Sequence, residues 1–128
     1  METLDYTVET KKSFDEAVEA VQAKSREKSF GILHVHDVQA TLATKGFQRG
    51  PLKIIEICHP KHAHDVLEKD VKISLMLPCP ISVYVESGKT YISALRPRLM
   101  GGFYPHAHIE AVAETVDRAI TAIVDEAR

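Results

Sequence analysis

The sequence predicts an α+β fold, an antiparallel sheet with helices packed mainly on one face, and three observations carry that expectation. "PISVYVE" and "KTYISAL" flank "SGK", with Gly88 at the permissive turn position of a β-hairpin. "LKIIEIC" is a further run whose β-branched residues suit a sheet. Near the C-terminus, Ile109, Val112, Ala113, Val116, Ala119, Ile120, Ile123 and Val124 recur at the spacing of one apolar stripe on a long helix.

The remaining elements follow in chain order. "DYTVETK" alternates as a strand does. In "SFDEAVEAVQAKSREK", Ser13 stands three residues before Glu16, the spacing of a capping box, and Phe14, Ala17, Val18 and Val21 define a buried helical face. "FGILHVHDV" is extended, and Asp37 caps a short helix "VQATLATK" that Gly46 ends in a left-handed conformation. After the strand "LKIIEIC", Pro60 occupies a first helical position, with Ala63, Val66 and Leu67 facing inward.

Composition bounds what this architecture does. With 128 residues, 45% hydrophobic and 27% charged, residues 1–128 make one domain able to bury a core. Sixteen basic and 18 acidic residues, net charge -2, leave no basic footprint for nucleic acid. The longest run free of formal charge, "ISLMLPCPISVYV", has 13 residues interrupted by Pro78 and Pro80, too short to span a bilayer. "METLDYTVETKK" lacks the basic start and apolar run of a signal peptide, so the expected location is cytoplasmic, with no membrane partner. Cys58 and Cys79, with twenty residues between them, fit neither a disulfide scaffold nor a CxxC motif and are expected as reduced thiols.

Candidate chemistry concentrates in "EICHPKHAHDVLEK". Strand alternation puts Glu56 and Cys58 on the face of Leu52 and Ile54, a carboxylate in an apolar row beside a thiol. Cys58 also lies just ahead of a helix N-terminus, which favours a thiolate; the alternative is an ordinary buried cysteine. On a helix from Pro60, His62 and His64 point about 200° apart and cannot share a metal, whereas His59 and His62 are neighbours at three-residue spacing. His34 and His36 are expected on the face of Phe30 and Ile32, and His106 and His108 as caps or solvated residues ahead of the last helix. Cys79 is held between two prolines, either in a rigid functional loop or at the start of an edge strand. Arg96 and Arg98 precede Gly101 and Gly102 in a segment that either binds an anion or simply connects.

"EICHP" supplies Glu56, Cys58 and Pro60, and "LPC" supplies Leu77, Pro78 and Cys79. These two motifs, in this order and after a helix ending at glycine, resemble the domain of unknown function 302 family from about Tyr6 to the last helix. His59 stands where that family usually carries asparagine. The resemblance implies a curved antiparallel sheet carrying helices, similar to the TATA-binding-protein-like architecture, and commonly a homodimer. It implies no nucleic-acid activity, and it leaves thiol chemistry open.

The sequence therefore points first to a domain that binds a small ligand or soft metal near Glu56, Cys58, His59 and Cys79. A thiol-dependent enzyme or sulfur carrier using Cys58 is the second reading, and a structural or partner-binding module the third. No cofactor, metal or catalytic residue is specified by the sequence itself. A homodimer through the sheet is expected because Lys53, Ile55, Ile57 and His59 alternate with Leu52, Ile54, Glu56 and Cys58, two faces neither of which is clearly polar.

Overall fold

A computed structural model describes residues 3–128. The strands β1 (Asp5–Thr10), β2 (Gly31–Asp37), β3 (Leu52–Cys58), β4 (Cys79–Glu86) and β5 (Lys89–Leu95) form one sheet in the order β1-β5-β4-β3-β2, every pair antiparallel. The helices are α1 (Phe14–Glu27), α2 (Val38–Thr44), α3 (Pro60–Lys69) and α4 (Glu110–Ala127), with shorter 3-10 helices at Val71–Met76, Pro97–Gly102 and Pro105–Ala107. This is the α+β arrangement expected.

Local chemistry sets the element ends. The Ser13 backbone N–H donates to Glu16 Oε1 at 2.9 Å while the Glu16 N–H donates to Ser13 Oγ at 3.2 Å, so the capping box at α1 is complete. The Asp37 carboxylate accepts from the Ala40 N–H at 2.9 Å at the start of α2. The β4–β5 turn places both Ser87 and Gly88 at positive φ, 52° and 77°, which matches the twist of a two-residue hairpin.

Register explains the core. Across the sheet, Val35, Ile55, Ile81, Ala94 and Tyr6 are successive cross-strand partners, and Lys53, Val83, Ile92 and Val8 form a neighbouring row. Ile55, Ile81, Val83 and Ile92 are wholly buried, and α1 and α4 close over them with Ala17, Val21, Ile120, Ile123 and Val124. Burying each such aliphatic side chain stabilises the fold by roughly 1.5–3 kcal/mol, so this layer is its main support. A second, smaller cluster of Val66, Ile73, Met100, Ala107 and Ile109 lies between α3, the 3-10 segments and the start of α4.

The opposite sheet face differs from the expected pair of apolar surfaces. One row across all five strands reads His36, Ile54, Ser82, Ser93 and Thr7. Ser93 Oγ lies 2.7 Å from Thr7 Oγ1 and 2.8 Å from the Tyr84 hydroxyl. Hydroxyls from three strands bond to one another, and beside them the face carries half-buried Leu52 and Ile54 of β3, Tyr84 of β4, and Tyr91 and Leu95 of β5. α2 touches β3 while burying none of its own residues.

A second correction concerns β2. Ile32 is opposite Ile57 but His34 is opposite Glu56, so Leu33 is an extra residue, a β-bulge. The inserted residue shifts the alternation: Ile32 and Val35 pack on the core, while His34 and His36 turn to the open face rather than joining Phe30 and Ile32.

The segment after β5 is held by a buried carboxylate on α4. Asp117, 2% exposed, receives Arg96 Nη2 at 3.1 Å and the Arg98 backbone N–H at 3.3 Å. Arg96 also lies over the Tyr6 ring, 5.5 Å from its centroid. Of the two readings of this segment, anion site or connection, the structure shows Arg96 paired within the chain, which anchors the connection to α4. Replacing Asp117 by Ala leaves a charge without its buried partner, and chemical denaturation is expected to show a loss of about 3 kcal/mol. A loss under about 1 kcal/mol would mean that the pair does not hold the connection.

Candidate functional site

The antiparallel ladder between β3 and β4 places Ile57 opposite Cys79. Cys58, the next residue of β3, therefore lies one step from Cys79 although twenty residues separate them in sequence. Both line one cavity of about 30 Å³, together with His59 and His62 of the α3 N-terminus. Phe30, Ile57, Val66, Leu77, Met100 and Val116 supply most of its apolar wall.

Each polar group has a distinct cause for being there. Cys79 ends the core-facing row Ile32, Ile57, Cys79 and is buried. Cys58, half-buried, ends β3 where the chain leaves the sheet for α3. Pro60 at the first helical position starts α3, with His59 as its N-cap residue, whose side chain makes no capping hydrogen bond. The rings of His59 and His62 face each other at 4.2 Å between centroids, as their three-residue spacing requires, and His59 meets the Phe30 ring edge-on at 5.4 Å. The Nδ1 atoms of both histidines are buried without a hydrogen-bond partner.

Glu56 is not among these lining residues. It points to the open sheet face, where its carboxylate pairs with His36 Nε2. The other histidines disperse as well. His34 meets His36 edge-on, His64 pairs with Glu68 at 3.2 Å on an exposed face, and His106 Nε2 bonds Asp70 Oδ2 at 2.7 Å rather than capping α4. Asp70 also accepts from the Lys72 N–H at 2.9 Å, and these two bonds, the backbone one first, hold its carboxyl below the usual carboxylate range. Among the described residues, no group of three or more His, Cys, Asp or Glu is arranged to hold a metal ion.

Comparison with known proteins places this geometry in a family. The model of "Domain of unknown function DUF302" matches residues 6–127. The chain belongs to the DUF302 family. It is similar to the uncharacterized conserved DUF302 protein from Bacillus stearothermophilus, whose crystal structure superposes with a TM-score of 0.93 at 27% identity, covering 99% of this chain and 100% of that one. No curated protein matches.

In this DUF302 chain the electrostatics of the cavity favour neutral groups. Burial pushes the Cys58 thiol up from its ordinary 9.0, which favours the ordinary buried cysteine over the thiolate. Cys79 is pushed up to about 12, by burial first and then by the nearby Cys58. Burial, and next His59, lower His62 from 6.5, which favours its neutral imidazole. Met100 is the lining residue of chemical interest that sequence patterning gave no reason to select.

Reactivity should follow. Alkylation of the native DUF302 chain is expected to be slow at pH 7 and to accelerate only above pH 9, at Cys58 first, with Cys79 reacting on unfolding. Mass mapping of alkylated peptides over a pH series checks this, and rapid labelling of Cys58 at pH 7 would contradict it. Cys79 also sets an alkaline limit. Native Cys79 keeps its proton up to about 12 while the unfolded thiol loses it near 9.0, so its contribution to stability, whole below pH 9, is lost as pH rises between those values. A Cys79→Ala variant should lose less stability than the parent over that interval.

Proposed function

We propose that this chain is a cytoplasmic binding domain that holds a small ligand or soft metal in the cavity between β3, β4 and α3, using Cys58, His59 and Cys79. The observation that carries this reading is the meeting of two thiols with two buried, unpartnered imidazole nitrogens inside apolar walls. Such nitrogens cost free energy when nothing bonds to them. Glu56, engaged by His36 on the other face, is left out of the site. At about 30 Å³ the cavity exceeds one water but falls far below the roughly 300–1,000 Å³ of drug-sized pockets, which restricts the occupant to an ion or a few atoms.

The second reading, a thiol-dependent enzyme or sulfur carrier, draws support from the partial exposure of Cys58. Its raised pKa works against that reading, since the thiolate is the nucleophile.

Native mass spectrometry of freshly purified protein separates these readings. Binding predicts a small, non-covalent mass retained by the folded chain and lost on denaturation. A covalent sulfur adduct on Cys58 would favour the carrier, and a bare chain with both thiols free would favour a structural module.

The proposed assembly is a homodimer through the open sheet face, supported by half-buried Leu52 and Ile54 and by the exposed Leu33 of β2 and Phe47 after α2. Light scattering at micromolar concentration is expected to give twice the 14.3 kDa chain mass. A mass of 14.3 kDa would exclude the dimer and leave the hydroxyl-rich face to solvent.

A further inference from the structure

We propose that the cavity between β3, β4 and α3 takes a neutral, apolar guest of about two or three heavy atoms, a small gas-like molecule rather than an ion. The inference rests on the reading of this cavity as the binding site and names the class of its occupant.

The wall decides polarity. Among the described residues that line the space there is no Asp, Glu, Lys or Arg, and its surface is almost wholly apolar. Ile57, Val66, Leu77 and Val116 supply aliphatic carbon, Phe30 a ring, and the two cysteines and Met100 sulfur. The Nδ1 atoms of His59 and His62 are buried to the point of offering no surface to an occupant. An ion placed here would lose its hydration and meet no opposite charge, which disfavours it strongly.

Water is disfavoured by the same wall. A buried water is kept by roughly two to four polar partners. Thiols behave as small hydrophobes with a weak S–H donor, and a thioether is only a weak acceptor. At about 30 Å³ the space has room for a water yet gives it too few partners.

Size sets the upper limit, because an apolar cavity that takes benzene measures roughly 150 Å³. Diatomic and triatomic molecules remain. Their attraction is dispersion: atoms lining a void lack neighbours on one side, and a guest supplies them. Sulfur is polarisable, so Cys58, Cys79 and Met100 favour a guest that is polarisable too.

The experiment uses dissolved dioxygen as the probe, since it is neutral, diatomic and paramagnetic. Methyl relaxation of the reduced full-length chain is measured under dioxygen pressure, with dinitrogen at the same pressure as the diamagnetic reference. The Val66 and Val116 methyls, which line the cavity, are expected to relax several-fold faster than those of Ile81 and Ile92, which are buried in the main core and do not line it. Val116→Ile and Leu77→Phe each fill part of the space and should remove that excess, with the backbone amide spectrum reporting that the fold is kept.

Equal relaxation in cavity and core, or an excess that survives both filling variants, would overturn the proposal. Cd(II), a soft cation, separates the two levels. If Cd(II) shifts the Val66 and Val116 methyls and dioxygen leaves them unaffected, the apolar-guest assignment falls and the cavity reading stands; if neither probe acts, both fall.

Discussion

The pairing of β3 with β4 is the constraint on which the site depends. Their antiparallel register sets Ile57 opposite Cys79, and that single alignment brings the end of one cysteine motif to the start of the other. A shift of one residue would turn Cys79 toward the open face and Pro80 toward the core, because side chains alternate strictly along a strand. Register is protected by burial. Ile55, Ile57, Ile81 and Val83 are fully buried beneath α1 and α4, so any slip exposes them together. The large core thus positions a small site at its margin.

The site itself trades stability for chemistry. Two imidazole nitrogens are buried without partners, and two thiols are kept protonated by loss of solvent. An all-aliphatic filling of the same space would avoid those costs. Elsewhere many polar groups are paired: Asp117 engages Arg96 and a backbone N–H, Ser25 bonds the Val21 carbonyl at 2.7 Å, and Asp70 accepts from both Lys72 and His106, although Arg96 Nε is also buried without a hydrogen-bond partner.

Much of the fold was legible because its signals are local. The Ser13–Glu16 box, the Asp37 cap, Pro60 at the head of α3 and the Ser87-Gly88 turn each act within four residues, and all are where the sequence placed them. The β2 bulge was not legible. Leu33 is extra only relative to β3, so the reversal of His34 and His36 depends on a pairing that no single strand encodes. The same limit applies to the open face, whose hydroxyl row joins Thr7 of β1 to Ser82 and Ser93 of the β4–β5 hairpin, remote from it in sequence. At the site, the three-residue spacing of His59 and His62 was readable as adjacency, and the joint approach of Cys58 and Cys79 followed from two motifs that flank one helix and return to one sheet. The exclusion of Glu56 and the arrival of Met100 were not readable. Strand parity grouped Glu56 with Cys58, but Cys58 lies at the strand end, where it reaches a cavity that Glu56 does not line. Met100 comes from a 3-10 segment with no long periodic pattern.

The claim that unites these points is that Cys58, Cys79 and the two histidines form one binding cavity. A crystal structure of freshly purified protein, with anomalous data at the sulfur edge, tests it most directly. The account predicts both sulfurs bordering a single cavity, with density for a bound ion or few-atom group in contact with Cys58. Sulfurs directed to opposite sheet faces, with each Nδ1 bonded elsewhere in the chain, would contradict it.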